Sequence, residues 1–214
     1  MIAIVDYGMG NLRSVSKAFQ SQGFTVNVTR DPSDIQDASG LVLPGVGAFG
    51  DCVRNLGEYG LTAPIREFID SGRPFLGICL GLQVIFEESE ESPGAEGLGI
   101  LKGKVVRFPD FKEERLKVPH MGWNRIDIRK NAPVLEGVPD GSWFYFVHSY
   151  YPVPEDESVI AITSEYGIEF TAAVERGNIF ACQFHPEKSS AYGLRLLRNF
   201  GILCGEKIRT TTLS

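Results

Sequence analysis

The chain has 214 residues and a formal net charge of −6, with 43% hydrophobic and 22% charged residues. This balance is typical of a soluble globular protein with a real core, and the length alone favours one domain. A modestly acidic chain is poorly suited to phosphate backbones, so we expect no nucleic acid partner.

Targeting and cofactor signals are weak throughout the chain. Residues 1–6 lack the basic start and long apolar stretch of a signal peptide, and the apolar run 75–82 is far below the roughly 20 residues of a membrane span. We therefore expect a cytoplasmic protein with no membrane partner. Four scattered cysteines are then expected to be free thiols: Cys52, Cys79, Cys182 and Cys204. No metal-ligand spacing is present, and the dinucleotide pattern that starts at Gly8 fails at Arg13, so neither metal nor cofactor is expected.

Short apolar runs alternate with helical patterns in the first half. Strands are predicted at 2–6, 25–28, 41–43 and 75–78. The first predicted helix is capped by Asn11 and ended by Gly23, and further helices are predicted at 51–56, 62–71 and 82–88. Strand–helix alternation of this kind predicts a parallel sheet that is covered on both faces.

The second half is richer in strands. After an acidic, Gly-rich segment at 87–99, which predicts a surface loop, strands are predicted at 104–107, 125–128, 143–147, 159–163, 170–174 and 179–184, with a last helix at 190–203. The predicted fold is a three-layer α/β sandwich, with a mostly parallel central sheet and an antiparallel extension. Residues 1–205 are expected to form one domain, followed by a polar tail at 206–214.

Cys79 lies in Gly77-Ile78-Cys79-Leu80-Gly81, between an apolar strand and a helix. This is the setting of a nucleophile elbow, in which the glycines make room for a tight turn. The helix start favours thiolate over thiol. Taken alone, the pattern fits a small buried core cysteine equally well. The strand–turn–helix context favours a nucleophile.

A histidine is needed to move protons for such a nucleophile. His185 ends a predicted strand, and alternation puts Glu187 on its side of the chain, where a carboxylate can fix the imidazole tautomer. His120 and His148 have no such neighbour, so a structural or substrate-side role is favoured for them. The sequence therefore predicts Cys79, His185 and Glu187 as the catalytic set.

Attack on an amide creates an oxyanion that needs preorganised donors. The N–H of Leu80 is one candidate, and the Gly-rich segment after the third strand, which contains Gly45, Val46 and Gly47, is another. By itself that segment predicts only an ordinary turn. Gln83, one turn beyond Cys79, is a candidate to bind polar groups of a substrate.

Together these segments resemble the class I, or triad, glutamine amidotransferases, and among them most closely the glutaminase subunits of imidazole glycerol phosphate synthase. The resemblance covers essentially the whole chain. It rests on Asp6-Tyr7-Gly8-Met9-Gly10-Asn11-Leu12, Pro44-Gly45-Val46-Gly47-Ala48-Phe49, Gly77-Ile78-Cys79-Leu80-Gly81-Leu82-Gln83, Pro119-His120-Met121-Gly122-Trp123-Asn124, Val147-His148-Ser149-Tyr150 and Phe184-His185-Pro186-Glu187-Lys188-Ser189.

The resemblance implies the following roles, which are expectations. Cys79 forms a glutamyl thioester with glutamine, and His185, held by Glu187, shuttles protons. The 44–47 segment supplies an oxyanion donor when it reorients. Glutamine is held by residues around the thiol: Gly47, Gln83, His148, Ser149 and Tyr150.

The resemblance also implies a partner, a (β/α)8-barrel cyclase that receives the ammonia through an internal channel and makes imidazole glycerol phosphate and an aminoimidazole carboxamide ribotide in histidine biosynthesis. Trp123, Asn124 and Lys188 are candidates for this heterodimer interface, although packing of Trp123 and a solvated charge at Lys188 also fit. No role is assigned to residues 108–117.

Three other functions stay open at this stage. A glutaminase subunit of another synthase has the same triad and differs only in its partner. A cysteine peptidase on a similar fold would cleave peptides and ignore glutamine. A non-catalytic binding module would have an unreactive Cys79.

Overall fold

Strands and helices alternate through the first half of the chain. The computed structural model describes residues 1–111 and 116–208. The elements of the first half are β1 (Ile2–Val5), α1 (Leu12–Ser21), β2 (Val26–Thr29), α2 (Pro32–Asp37), β3 (Gly40–Gly45), α3 (Phe49–Glu58), α4 (Thr62–Asp70), β4 (Phe75–Cys79) and α5 (Leu80–Gln83).

The second half is mostly strands. They are β5 (Glu88–Ser89), β6 (Gly103–Arg107), β7 (His120–Arg125), β8 (Asp127–Ile128), β9 (Trp143–His148), β10 (Tyr150–Pro154), β11 (Ile160–Glu165), β12 (Glu169–Arg176) and β13 (Ile179–Cys182), followed by α6 (Ser190–Leu203). Three short 3₁₀ turns lie at Pro133–Leu135, Glu157–Val159 and Pro186–Lys188.

The central sheet has eight strands in the order β2-β1-β3-β4-β13-β12-β11-β8. The strands from β2 to β13 are parallel, and β12, β11 and β8 extend the sheet antiparallel. The predicted fold class is therefore confirmed. Two small sheets, β10-β6-β5 and β7-β9, lie outside this one.

Alternation along the buried strands divides the core into two layers. In β1, Ile2 and Ile4 pack in one apolar cluster with α1 and α6. Ala3 and Val5 pack in a second cluster with α3 and α4. Because the central strands are covered on both faces, they are apolar at every position instead of at every second one.

The parallel direction of the sheet decides where the chemistry lies. β3 and β4 pair so that Gly45 lies opposite Cys79, and β13 on the other side of β4 leads towards His185. The carboxyl ends of the central strands therefore meet at one edge, which is where open α/β sheets bind ligands.

Some elements differ from the sequence prediction. The helix predicted at 82–88 is wrong, because α5 ends at Gln83. The carbonyls of residues 84–86 accept instead from the backbone N–H groups of residues 98–101, so the chain turns away to meet that segment. The sequence analysis also missed α2, β5, β7 and β10. α2 and β5 are short, β7 is largely polar, and β10 contains two prolines.

The segment after α6 is anchored at its start. Glu206 accepts a hydrogen bond of 2.6 Å from the Ser39 hydroxyl and pairs with the amino group of Met1. The rest of the predicted tail, 209–214, lies outside the described residues. Across the described ranges, no helix has both the length and the apolarity to cross a membrane.

Candidate active site

Cys79 lies at the last position of β4, at a turn that few side chains tolerate. Its backbone has φ 56° and ψ −107°, a strained region for a residue other than glycine. A Cβ on Gly77 would lie 2.7 Å from the carbonyl oxygen of Gly81, and a Cβ on Gly81 would overlap that of Leu43. The two glycines are therefore required by the close approach of β3, β4 and α5.

Cys79 is 7% exposed and lines a pocket of about 260 Å³. The pocket brings together most of the side chains and segments that the sequence analysis singled out, and Gly45 lies beside it in the sheet. The residues that line it are Val46, Gly47, Cys79, Leu80, Gln83, Glu91, Pro119, Val147, His148, Ser149, Tyr150 and His185.

His185 and Glu187 are in contact, as the sequence predicts. Nδ1 of the imidazole lies 2.8 Å from Oε1 of Glu187, and the two side chains are 2% and 1% exposed. The segment is not extended, because a 3₁₀ turn begins at Pro186. The hydroxyl of Ser189 donates to the His185 carbonyl at 2.6 Å and helps to fix this turn.

The imidazole of His185 is charged at neutral pH. Burial disfavours the imidazolium, but the neighbouring charge of Cys79, followed by the hydrogen bond and charge of Glu187, outweighs it and raises the pKa of His185 to about 10. Its second nitrogen, Nε2, is buried, and no group in the described ranges meets hydrogen-bond geometry with it. The arrangement is an acid next to a thiol, with one nitrogen anchored and the other available.

The other three thiols are poor candidates for the nucleophile. All four cysteines are free. Burial raises the pKa of Cys52 and Cys204 to about 12, and it raises the pKa of Cys182 well above its ordinary value. A thiol that stays protonated is a weak nucleophile.

His120 and His148 form a hydrogen-bonded pair behind the pocket. Nδ1 of His148 donates to the carbonyl of Tyr150 at 2.8 Å, which leaves its Nε2 to accept from Nδ1 of His120 at 3.1 Å. The Asn124 amide then donates to the remaining nitrogen of His120 at 3.2 Å. Burial lowers the pKa of His120 to about 4 and that of His148 to about 3, so both rings are neutral at pH 7.

Phe108 belongs to the segment for which the sequence predicts no role. It is buried against both rings of the pair and against Tyr151, Tyr166 and Phe170. Its function is to pack this cluster. Residues 112–115 of the same segment lie outside the described residues.

Two polar residues at the site were missed by the sequence analysis. Glu91 accepts from the backbone N–H of Phe49 at 2.7 Å, and so replaces the cap that Ala48 cannot supply to α3. The acidic composition around it gave no signal for this. The amide nitrogen of Gln183 lies 3.6 Å from Sγ of Cys79. The sequence did contain a signal for this residue, because strand alternation places Gln183 on the same side as His185.

The three interface candidates lie near one another. β7 and β9 pair Trp123 with Tyr145, and the Lys188 ammonium lies 5.7 Å from the Tyr145 ring. Trp123 is 48% exposed, and Met121 and Trp143 on the same two strands are 63% and 53% exposed. These three side chains form an apolar patch, named here the β7–β9 patch. Asn124 is half-buried between this patch and His120.

No group of three or more His, Cys, Asp or Glu side chains suited to a metal ion occurs in residues 1–111 and 116–208.

Comparison with known proteins gives a consistent family. The model of the family "Glutamine amidotransferase class-I" matches residues 3–204. The imidazole glycerol phosphate synthase subunit HisH of Syntrophotalea carbinolica is 58% identical over 204 residues, covering 94% of this chain and 99% of that protein. The protein of the same name from Geobacter sulfurreducens is 55% identical over 203 residues, covering 94% of this chain and 97% of its own.

Solved structures agree on the fold. A glutamine amidotransferase matches with a TM-score of 0.71 at 22% identity, covering 96% of this chain and 100% of its own. The PurLQS structure from Thermotoga maritima matches with a TM-score of 0.70 at 17% identity, covering 93% of this chain and 96% of that chain.

Proposed function

Since this chain belongs to the class-I glutamine amidotransferases, and within them to the HisH subunits of imidazole glycerol phosphate synthase, we propose that its pocket hydrolyses glutamine at Cys79. The chain is the glutaminase subunit of that synthase and serves histidine biosynthesis. A glutaminase of a different synthase is not favoured, because HisH proteins match at 51–58% identity over nearly the whole chain. Residues 1–205 act as one domain in this proposal.

The observation that carries the chemistry is the strained turn of Cys79 in one pocket with the His185–Glu187 pair. The thiolate attacks the side-chain amide carbon of glutamine, which forms the S–C bond and a tetrahedral oxyanion. When the C–N bond breaks, Nε2 of His185 gives its proton to the leaving ammonia. Water then attacks the thioester, the neutral imidazole takes the water's proton, and glutamate leaves as the S–C bond breaks.

Glu187 keeps His185 in the useful orientation. Because its carboxylate accepts from Nδ1, the imidazole has Nε2 as the nitrogen that exchanges protons at the substrate. The same carboxylate stabilises the imidazolium. Glu187 is thus a positioning residue in this mechanism.

Donors at the edge of the sheet bind the oxyanion and the substrate. We assign the oxyanion to the backbone N–H of Leu80 and to the Gly45–Val46 segment, which lies beside Cys79 across the β3–β4 pairing. Gly47, His148, Ser149 and Tyr150 hold the glutamine from the pocket walls.

Gln83 and Glu91 complete the substrate site. The amide nitrogen of Gln83 already donates to the Tyr150 carbonyl and to Oε1 of Gln183, so its oxygen is the atom left for the substrate. Glu91 supplies a carboxylate in the pocket wall, which suits the α-ammonium group of glutamine.

The chain is a subunit of a synthase, and we assign its partner to the β7–β9 patch. Three large exposed apolar side chains beside an active site are typical of an interface. Trp123, Asn124 and Lys188 are the proposed contact residues, and the partner is the (β/α)8-barrel cyclase that consumes the ammonia. The patch lies next to the pocket through Val147, which belongs to β9 and lines it.

A glutamine analogue that alkylates the active-site thiol tests the proposal. The expected result is one covalent adduct, located on Cys79 by peptide mass spectrometry, together with loss of glutamine hydrolysis. Cys79→Ala should take up no analogue and release no ammonia while still binding the cyclase. Hydrolysis retained by Cys79→Ala would reject the assignment. Cleavage of peptides with no reaction towards glutamine would favour the cysteine peptidase.

A further inference from the structure

Gln183 places its side-chain amide against the thiol of Cys79. The residue is fully buried, and its Nε2 lies 3.6 Å from Sγ, within the range of an N–H···S hydrogen bond. Its backbone N–H is engaged elsewhere, by the carbonyl of Ala172 at 2.8 Å. The backbone N–H of Gln183 is therefore already satisfied, and the contact with the sulfur is made by the side-chain amide alone.

The orientation of this amide is fixed by its neighbours. The nitrogen of Gln83 donates to the Tyr150 carbonyl at 3.0 Å, and a carbonyl can only accept. The nitrogen end of Gln83 therefore faces inward, where it also donates to Oε1 of Gln183 at 3.1 Å. With its oxygen held in this way, Gln183 presents its N–H group to the sulfur.

The short α5 gives this donor more weight. The sequence analysis assigned stabilisation of a thiolate to the start of a helix, but α5 has only four residues. The dipole of a single turn is small compared with that of a full helix. Cys79 is 7% exposed, so a thiolate formed there would need fixed donors, because water reaches the residue poorly.

We propose that Gln183 is a further catalytic residue, whose side-chain N–H donates to the Cys79 thiolate and is aimed at it by the amide of Gln83. The inference rests on the proposed function, since it assumes that Cys79 is the nucleophile. The amide adds a neutral donor to the charged imidazole of His185, so the thiolate is stabilised before glutamine arrives.

The test is the pH dependence of Cys79 alkylation by iodoacetamide in the full chain, followed by peptide mass spectrometry. Wild type and Cys79→Ala are compared first, to identify the alkylation that occurs at Cys79. If wild type shows no such reaction, the result counts against the proposed function itself, whatever the role of Gln183. Gln183→Met, similar in size but without the donor, should move the pH of half-maximal alkylation upward by about one unit, the effect of one hydrogen bond to a charged group.

Two further variants keep the test decisive if Gln183→Met folds poorly. Gln183→Glu should move the midpoint upward at least as far, because a carboxylate cannot donate and its charge opposes the thiolate. Gln83→Glu should do the same indirectly, because a carboxylate there would draw the nitrogen end of Gln183 away from Cys79.

Asn199→Leu is the matched control. Asn199 is also a buried amide that donates to two carbonyls, those of Val134 and Glu136, but it lies in α6. Asn199→Leu should lower the stability of the chain and leave the pH of half-maximal alkylation of Cys79 unchanged. A wild-type profile in both Gln183 variants, or an equal shift in Asn199→Leu, would overturn the proposal.

Discussion

Nδ1 of His120 lies 3.1 Å from Nε2 of His148, and the carbonyl of Tyr150 at the far end determines which ring donates. Both rings must carry their proton on Nδ1 and be neutral. The chain contains three histidines, so each imidazole is separable by experiment. Nitrogen NMR of labelled histidine at pH 7 should show two neutral Nδ1–H rings and one imidazolium, that of His185. An Nε2–H form for His120 or His148 would contradict this network.

The histidine pair also predicts a loss of stability in mild acid. The pKa of each ring is lower in the folded chain than the ~6.5 of an unfolded one, so the unfolded state binds more protons below that value and stability falls as the pH falls. Between pH 7 and pH 5 each ring should cost about 2 kcal/mol. Urea unfolding of wild type and His120→Asn at both pH values measures the difference. An equal loss in the two proteins would contradict the prediction.

Glu187→Gln should lower kcat for glutamine by about 10³–10⁴-fold with little change in KM. An amide no longer fixes the Nδ1–H form or stabilises the imidazolium. Steady-state kinetics of the complex with the cyclase checks this. Glu169→Gln, which removes an exposed carboxylate paired with Arg129, should leave kcat unchanged. A loss below tenfold in Glu187→Gln would remove Glu187 from the triad.

Gly81→Ala should destabilise the chain by several kcal/mol, on the order of the cost of an overpacked core. The added Cβ would overlap the Leu43 carbonyl oxygen, and this backbone is held in β3 of the central sheet, so it cannot easily give way to α5. Gly57→Ala is the control, since nothing lies within 4 Å of the added atom in α3. It should stabilise by about 0.5–1 kcal/mol. Chemical denaturation that ranks the two variants in the opposite order would contradict the elbow geometry.

Trp123→Ala should weaken binding of the cyclase by about 30-fold, the effect of losing an aromatic hot spot of about 2 kcal/mol. The side chain is half-exposed, so the isolated chain should keep its stability. Titration calorimetry measures the affinity. Val153→Ala, an exposed apolar residue on β10, is the control and should bind normally. Equal affinities for the two variants would exclude Trp123 from the interface.

The sequence predicted the sheet and the elbow well, because both are recorded locally. Apolar runs identify buried parallel strands, and Gly77 and Gly81 around Cys79 identify the turn. It predicted less well where distant segments decide the structure. The length of α5 depends on residues 98–101, whose N–H groups take the carbonyls that a longer helix would use. The position of Glu91 in the pocket depends on the uncapped start of α3.

Release of ammonia from glutamine, measured for this chain alone and then with the cyclase and its ribonucleotide ligand, tests the central claim most directly. The account predicts slow release by the chain alone and a large rise on mixing, because the resemblance implies that the 44–47 segment supplies its oxyanion donor only after it reorients. Full activity without the partner would contradict the claim that the cyclase switches on glutamine hydrolysis. Absence of activity in both cases would contradict the glutaminase assignment itself.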